Sequence, residues 1–280
     1  MSETHPATFS ISTFGCKVNQ YESQVIREGL IDAGYREDDE DPGLILINTC
    51  AVTAKTEAKV RKKIRSKLRA HPSARMLLTG CGVVYSQQTD GSLFKLIPPG
   101  RRGAFPPDVE PEKDGGISFF RGHQRAFVKV QDGCDSYCSY CVIPYLRGRP
   151  RSRRREVILN EIGRLVSGGY REIVLTGINL GKYGTDRGSP LSLSDLIAQI
   201  ISLPGHFRVR LSSIEPLEIS SDLIQLIASH EAICPHLHIP LQSGSDRILG
   251  LMNRNYTYQD YRRVVDTIRM KIPDLALSTD

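Results

Sequence analysis

The strongest constraint on the fold is a repeated alternation of short apolar segments with amphipathic segments of helical period. In the first third of the chain this pattern predicts strands at 8–14, 44–48 and 75–79 and helices at 18–34 and 55–70. The run at 44–48 is apolar almost throughout, which is typical of a parallel strand buried on both faces. Because strands joined through helices pair in parallel, residues 1–96 are predicted to form a small, doubly wound α/β domain.

A second alternating series occupies residues 123–280. It follows a Pro- and Gly-rich segment at 97–122, which is predicted to be a linker. Strands are expected at 126–131, 172–176, 208–211, 236–239 and 275–278, and helices at 157–168, 193–203, 222–229 and 258–270. Five β/α units in about 150 residues predict a partial (β/α) barrel, whose chemistry should lie at the C-terminal ends of its strands.

The chain shows neither a signal peptide at residues 1–10 nor an apolar run of the roughly 20 residues that a membrane helix needs. We therefore expect a cytoplasmic protein without a membrane partner. Seven cysteines in that compartment are unlikely to form a disulfide framework, and the odd number argues further against one. They are better interpreted as thiols, metal ligands or catalytic groups.

Three of the cysteines, Cys134, Cys138 and Cys141, have CxxxCxxC spacing and follow the first strand of the second series. Three thiolates on one short loop can bind three irons of a 4Fe–4S cluster and leave the fourth iron open. Zinc is the alternative. A structural zinc site needs four ligands, however, and no further Cys or His lies at a suitable short spacing.

Three other cysteines, Cys16, Cys50 and Cys81, each come directly after a predicted strand of the first domain. Loops at the carboxyl ends of neighbouring parallel strands converge, so these cysteines can meet although they are far apart in the sequence. A single buried Cys is usually a small apolar residue, whereas three at equivalent strand ends favour a second cluster. The remaining Cys234, and the histidines His236 and His238, are interpreted as ordinary core or loop residues.

The CxxxCxxC motif, with the aromatic Tyr140 before its last Cys, resembles the radical SAM superfamily. Two cysteine triplets, the first on a small α/β domain and the second on a barrel, resemble the methylthiotransferase family within it. The residues that carry this resemblance are Phe-Gly-Cys-Lys-Val-Asn-Gln-Tyr-Glu-Ser at 14–23, Ile-Asn-Thr-Cys-Ala-Val-Thr at 47–53, Val-Gln-Asp-Gly-Cys at 130–134, Ile-Pro-Tyr-Leu-Arg-Gly-Arg-Pro-Arg-Ser at 143–152 and Leu-His-Ile-Pro-Leu-Gln-Ser-Gly-Ser at 237–245. The first two are most similar to the branch that acts on N6-threonylcarbamoyladenosine in tRNA.

The resemblance implies an enzyme that adds a methylthio group at C2 of this adenosine, beside the anticodon. Cys134, Cys138 and Cys141 would hold the cluster that cleaves S-adenosylmethionine to a radical. The cysteines at 16, 50 and 81 would hold an auxiliary 4Fe–4S cluster that carries the sulfur. The implied partners are the tRNA anticodon loop and a reducing electron donor of the flavodoxin or ferredoxin type, and the chain is expected to be a monomer.

The resemblance also implies contacts to S-adenosylmethionine at the strand ends. Tyr140 lies within the cluster motif. The other implied contacts are Thr176, Gly177 and Asn179 to the amino group, Ser213 and Glu215 as polar contacts, Gln242 and Ser243 to the ribose and carboxylate, and Arg254 to the carboxylate.

A run of arginines follows the cluster loop and is predicted to bind the phosphates of the anticodon loop: Arg147, Arg149, Arg151, Arg153, Arg154 and Arg155. The guanidinium fork matches phosphate oxygens, and such contacts set affinity rather than sequence preference. A solvated charged face is the alternative. A second basic run covers residues 55–69.

Members of this family continue beyond the fifth barrel strand with a sixth strand and a small β-barrel RNA-binding domain. The sequence here stops at residue 280, so this part is expected to be absent and a barrel edge to be left unpaired. Three other functions remain open: a methylthiotransferase acting on another modified adenosine, a radical SAM enzyme of a different kind with one extra cluster, and a non-catalytic iron–sulfur protein that carries electrons or binds RNA.

Overall fold

The computed structural model describes residues 7–50, 53–82, 95–96, 115–186 and 191–280. The chain divides into two units, Met1–Ile117 and Ser118–Asp280. Most of the predicted linker, residues 97–114, lies outside the described residues, so the domain limits drawn from the sequence remain a prediction. Among the described residues, no helix is long and apolar enough to cross a membrane.

The first unit is built on a parallel sheet. Its elements are β1 (Thr8–Thr13), α1 (Lys17–Asp32), β2 (Arg36–Glu37), β3 (Leu44–Thr49), α2 (Ala54–Ala70), β4 (Arg75–Gly80) and β5 (Lys95–Leu96). The strands are ordered β2-β1-β3-β4-β5, and every neighbouring pair is parallel. The two-residue strands β2 and β5 were not predicted, since so short a segment carries no periodic signal.

The two helices of the first unit cover opposite faces of this sheet. Leu30 of α1 packs with Phe9 and Leu46, whereas Leu68 of α2 packs against a second cluster that includes Ile47. The predicted doubly wound arrangement is therefore confirmed. Strand β2 lies on one side of β1, and β3 lies on the other side of β1. The direction of the strand order therefore reverses at β1, and a crevice forms between the carboxyl ends of β1 and β3. Folds of this kind bind ligands in that crevice.

The second unit continues the β/α alternation. Its elements are β6 (Ala126–Asp132), α3 (Ile143–Arg147), β7 (Arg151–Ser152), α4 (Arg155–Ser167), β8 (Glu172–Gly177), α5 (Leu193–Ile201), β9 (Arg208–Leu211), α6 (Ser221–Ser229), β10 (His236–His238), α7 (Asp246–Leu251), α8 (Tyr258–Lys271) and β11 (Ala276–Ser278). Single 3-10 turns at Leu180–Lys182 and Pro216–Glu218 follow β8 and β9.

The strands of the second unit form two connected groups. The four-stranded group has the order β7-β6-β8-β9, in which β6, β8 and β9 are parallel and β7 is antiparallel to β6. Strands β10 and β11 form a parallel pair, and a parallel bridge between Val209 and Ile233 links the two groups. All five predicted strands are present, which confirms the α/β series, while α3, β7 and α7 were not predicted.

Candidate iron–sulfur and cofactor site

Cys134, Cys138 and Cys141 lie on the loop that leaves the carboxyl end of β6, and all three are half-buried. Gly133 begins this loop at φ 76°, and a Cβ atom there would collide with backbone carbonyls that follow α3. The Cys134 amide donates to the Gly148 carbonyl at 2.9 Å, and the Cys141 amide donates to the Cys138 carbonyl at 2.9 Å. The loop is therefore held at its start and folded tightly between its last two cysteines.

The three thiols of this loop interact electrostatically. Burial raises the pKa of the Cys141 thiol, and the Cys138 and Cys134 thiols raise it further. Ionising all three thiols would bring like charges together, which is unfavourable without a nearby cation. A bound metal centre supplies that positive charge and deprotonates coordinating thiols. The loop thus brings together three thiols that a bound metal centre would deprotonate.

The donor set of this loop is three thiols, the ligand type of iron–sulfur clusters. No three His, Cys, Asp or Glu side chains within the described part of the chain converge as ligands of one ion. Ligands of one zinc ion must all reach about 2.0–2.3 Å from the same point. The thiols that hold an iron–sulfur cluster each bind a different iron and need not converge.

Arg254 joins the cysteine loop to the end of β9. Its side chain is 5% exposed and forms an ion pair with Glu215. Its Nη1 donates to Sγ of Cys138 at 3.2 Å, and its Nε donates to Oη of Tyr256 at 3.2 Å. The Tyr256 hydroxyl in turn donates to the Pro240 carbonyl at 3.0 Å. One buried guanidinium therefore holds a predicted cluster ligand and a predicted cofactor contact in fixed positions.

Two buried acceptors near this loop have no hydrogen-bond partner. Nδ2 of Asn179 donates to Oε1 of Glu218 at 2.9 Å, which leaves Oδ1 of Asn179 and Oε2 of Glu218 unsatisfied among the described residues. A Cβ atom at Gly181 would collide with the Glu218 carboxylate. Lys182, in the same turn, is paired with Asp135 beside the first cysteine. Buried acceptors normally find donors, so this pair fits a ligand that carries N–H groups.

The side-chain carboxyl of Glu218 has a raised pKa. Burial raises its pKa to about 7, and the hydrogen bond from Asn179 opposes this shift. The charges of Glu215 and Asp135 raise the pKa further, while Lys182 lowers it. A folded-state pKa above the ordinary value of 4.5 means that the folded protein binds this proton more tightly than the unfolded chain does.

The stability of the second unit should therefore depend on pH through Glu218. Its contribution is fully present below pH 4.5 and is lost as the pH rises through about 7. We expect Glu218→Gln to remove this loss, on the order of 2 kcal/mol between those limits after allowance for partial exposure. Urea unfolding at both ends of the range measures it, with the exposed Glu231→Gln as control. Equal pH dependence in the Glu218→Gln protein and the wild type would contradict the assignment.

The other predicted cofactor contacts lie at the strand ends but show fewer specific interactions. Thr176 is buried, and Gly177 packs on Gln131, whose Oε1 lies 3.0 Å from a Cβ placed at that glycine. Ser213 is exposed. Tyr140 is 53% exposed, and burial of part of its ring raises its pKa to about 12.

Two predicted contacts lie in the loop after β10. Gln242 has a φ of 66°, and its amide donates to the Asp280 carbonyl at 3.1 Å. The Ser243 hydroxyl accepts from the Ser245 amide at 3.2 Å. Neither side chain contributes to the contacts described above around Cys138.

Sequence reasoning missed several residues of this region: Gln131, Asp135, Lys182, Glu218 and Tyr256. Lys182 and Glu218 belong to 3-10 turns that follow strands β8 and β9. The rule that found Asn179 and Glu215, a polar residue after a barrel strand, could have found them as well. Tyr256 gives no such signal, because its role depends on the guanidinium two residues earlier.

The second cysteine triplet lies at the carboxyl edge of the first unit's sheet. Cys16 and Cys50 follow β1 and β3, on either side of the crevice, and Cys81 follows β4. A Cβ atom at Gly15 would lie 3.2 Å from Sγ of Cys50, and one at Gly82 would lie 3.2 Å from the Cys50 carbonyl. The loops after the three strands therefore meet, with Cys50 at the centre. Cys16 is exposed and the other two are buried.

Two arginines of the predicted RNA-binding run point into the protein instead. The Arg147 side chain is fully buried and pairs with Asp132 at 3.0 Å. Arg153 donates to the Lys129 carbonyl at 2.6 Å and to the fully buried Glu161 at 2.8 Å. Arg147 and Arg153 are therefore engaged by Asp132 and Glu161 in the structure, because a buried carboxylate needs a cationic partner.

The rest of the run is accessible. Arg149, Arg151 and Arg154 are exposed, and Arg155 is partly exposed and pairs with Glu156 at 2.8 Å. Strand β7, which pairs antiparallel with β6, exposes Arg151 and buries Ser152. These four residues remain the predicted RNA contacts.

The fold is similar to that of solved radical SAM enzymes. The methyltransferase TsrM from Kitasatospora setae, solved with cobalamin and a [4Fe–4S] cluster, matches with a TM-score of 0.63 and 13% identity over 98% of this chain and 66% of that one. The cobalamin-dependent enzyme OxsB matches with a TM-score of 0.64 and 10% identity, over 99% and 49%. At such identities the likeness concerns the fold alone.

Family models match both units. The radical SAM superfamily model covers residues 128–280, and the model described as uncharacterized protein family UPF0004 covers residues 8–98. The fold, the CxxxCxxC loop and this match define a radical SAM protein.

Curated relatives show which family of radical SAM proteins the chain belongs to. The threonylcarbamoyladenosine tRNA methylthiotransferases MtaB of Chlamydia pneumoniae and Thermotoga maritima are 44% and 38% identical over 98% of this chain. The tRNA-2-methylthio-N(6)-dimethylallyladenosine synthase of Lawsonia intracellularis is 36% identical over 97%. The chain belongs to the radical SAM methylthiotransferase family, as its motifs predicted. It spans 66%, 67% and 68% of the lengths of these three relatives.

Proposed function

We propose that this protein is a tRNA methylthiotransferase that adds a methylthio group at C2 of N6-threonylcarbamoyladenosine next to the anticodon. The observation that carries the proposal is that three cysteines follow the parallel strands β1, β3 and β4 of the first unit and three more follow β6 of the second. The chain is also a member of the methylthiotransferase family. The choice of adenosine is supported by identity, which is 44% to a relative named for threonylcarbamoyladenosine and 36% to one named for dimethylallyladenosine.

In this proposal Cys134, Cys138 and Cys141 would hold a 4Fe–4S cluster, with S-adenosylmethionine as its cofactor. When bound, the cluster and S-adenosylmethionine would together supply radical chemistry. A radical is needed because the C2 hydrogen of adenosine is not acidic enough for a general base to remove. The protein's own contribution is positioning. Arg254 donates a hydrogen bond to the sulfur of Cys138 and thereby holds this side chain in place.

The acceptor pair formed by Asn179 and Glu218 is proposed to bind the amino group of S-adenosylmethionine. An ammonium group has three hydrogen-bond donors, which are enough to satisfy both unpaired oxygens, Oδ1 of Asn179 and Oε2 of Glu218. The predicted contacts at Tyr140, Thr176, Gly177, Ser213, Glu215, Gln242 and Ser243 stay part of the proposal.

Cys16, Cys50 and Cys81 are proposed to hold the second 4Fe–4S cluster, which would carry the donated sulfur. Both solved neighbours are described with cobalamin, and a sheet with its crevice between β1 and β3 suits a large ligand of either kind. Three thiols at that crevice favour iron, since thiolate is the ligand of iron–sulfur clusters.

The proposal includes tRNA as the substrate, a reducing partner of the flavodoxin or ferredoxin type, a cytoplasmic location and a monomeric state. Mass spectrometry of tRNA nucleosides from cells with and without the gene for this protein tests the reaction. We expect the 2-methylthio form of N6-threonylcarbamoyladenosine to disappear when the gene is deleted. Loss of a different methylthio-adenosine would contradict the substrate, and an unchanged nucleoside profile would contradict the function.

Replacing Arg149 and Arg151 by Gln is expected to weaken tRNA binding. Both side chains are exposed after the cluster loop. Each phosphate contact contributes about 0.7–0.9 to the slope of log K against log salt concentration, so the double variant should lower that slope by about 1.5. Fluorescence anisotropy with labelled tRNA measures it. Replacing the exposed Arg247 and Arg262 on α7 and α8 is the matched control, and an equal change in both proteins would contradict a specific contact.

A further inference from the structure

The charge of this chain is concentrated on one helix. Helix α2 has eight Lys or Arg residues and one acidic residue, Glu57, in 17 positions, which is a net charge of +7. The whole chain has 37 basic and 31 acidic residues, a net charge of +6. The remainder therefore has 29 basic and 30 acidic residues and is almost neutral. A single helix thus accounts for the positive character of the protein.

The packing of α2 leaves its charges facing solvent. Val60 is buried, and Ile64 and Leu68, four and eight residues further on, pack against the sheet. These positions form one stripe along the helix, so the remaining surface points outward. We call its exposed cations the basic face of α2: Lys55, Lys59, Arg61, Lys62, Arg65 and Arg69.

The cations of α2 recur at a spacing that brings like charges together along the helix. Like charges four residues apart on a helix repel each other and weaken it. Five such pairs occur here: Lys55–Lys59, Lys59–Lys63, Arg61–Arg65, Lys63–Lys67 and Arg65–Arg69. One favourable pair, Glu57 with Arg61, offsets this repulsion only in part. A polyanion bound to the exposed cations would relieve part of this repulsion.

The composition of the basic face favours a nucleic acid over an acidic protein. Protein interfaces depend on a buried centre with aromatic or other large apolar anchors. Among the described residues, none of the exposed large hydrophobic side chains lies on α2. Phosphate backbones need no such anchor, because release of their counterions drives binding. The helix is about 25 Å long, so it can follow a backbone over several phosphates.

We propose that the basic face of α2 is a further binding surface for the phosphate backbone of tRNA, in addition to the arginines after the cluster loop. The inference rests on the proposed tRNA substrate and assigns to the first unit a role in holding it. Phosphate contacts of this kind fix position and affinity but carry no sequence preference.

The test is tRNA binding by the full chain with four cations replaced: Lys55→Gln, Lys59→Gln, Lys62→Gln and Arg65→Gln. Glutamine is a good helix former, so α2 should be retained. We expect the slope of log K against log salt concentration to fall by about 3, and affinity at 0.15 M salt to fall about fourfold for each phosphate that the variant no longer binds. Anisotropy of a labelled tRNA transcript at several salt concentrations gives both values.

The matched control removes four exposed cations from α7 and α8: Arg247→Gln, Arg262→Gln, Arg263→Gln and Lys271→Gln. This control should keep the wild-type slope within about one unit. A variant with Lys59→Gln and Lys62→Gln alone should show about half of the full effect, and circular dichroism of each protein checks that α2 is folded.

Three results would overturn the inference. A wild-type slope in the fourfold α2 variant would show that the surface does not contact tRNA, while leaving the proposed function intact. Unchanged tRNA binding together with weaker binding of polyglutamate would show that the surface takes an acidic protein. Absence of salt-dependent tRNA binding in the wild type would remove both the surface and the proposed substrate.

Discussion

Replacing Cys134, Cys138 and Cys141 together by Ala is expected to halve the iron content of the anaerobically reconstituted protein. The wild type should bind about eight irons and the variant about four, because each triplet would hold one four-iron cluster. The three thiols of this loop already interact in the structure, so their replacement removes a complete ligand set. Iron analysis and the visible absorption of the clusters measure the change.

The matched control is Cys234→Ala. Cys234 is buried and lies outside both triplets. Its replacement should leave about eight irons. Replacing Cys16, Cys50 and Cys81 should leave about four, now in the second unit. Iron content that falls equally in the Cys234 control and in the triplet variants would contradict the assignment of two separate sites.

Arg147→Ala is expected to destabilise the second unit by about 3 kcal/mol without changing the salt dependence of tRNA binding. The Arg147 side chain is fully buried, and its removal leaves Asp132 with Lys129 as its remaining cationic partner. Although burial acts in the opposite direction, Lys129 and Arg147 hold the pKa of Asp132 well below its ordinary range. Removing Arg147 takes away one of the two cations that offset the burial of this carboxylate, and urea unfolding should detect the cost.

Arg149→Ala is the control for this substitution, since Arg149 is exposed two residues further along. It should change stability by less than about 0.5 kcal/mol and lower the slope for tRNA binding. The opposite pattern, with Arg147 affecting the slope and Arg149 the stability, would mean that the arginine run is oriented differently from the structure.

The regular elements of both units could be predicted because their signal is local. Buried parallel strands such as β3 are continuous apolar runs, and the helices between them have an apolar stripe. The missed elements are short or depend on distant partners. Strand β7 has two residues and is formed by pairing with β6. So short a segment has no periodic pattern from which that pairing could be predicted.

The cysteines of the candidate site could be predicted for a similar reason. The CxxxCxxC spacing is local, and the second triplet follows from counting strand ends. The role of Arg147 could not be inferred, since its partner Asp132 lies 15 residues earlier and nothing in the sequence links the two. The acceptor pair of Asn179 and Glu218 spans 39 residues and becomes visible only when the ends of β8 and β9 lie side by side.

Release of 5′-deoxyadenosine from S-adenosylmethionine tests the central claim most directly. The reconstituted chain is incubated anaerobically with S-adenosylmethionine and dithionite, and the product is quantified by chromatography. We predict that the wild type and Cys234→Ala release it and that Cys138→Ala does not. A wild-type protein that binds about eight irons but releases no 5′-deoxyadenosine would contradict radical SAM chemistry and indicate an electron carrier instead.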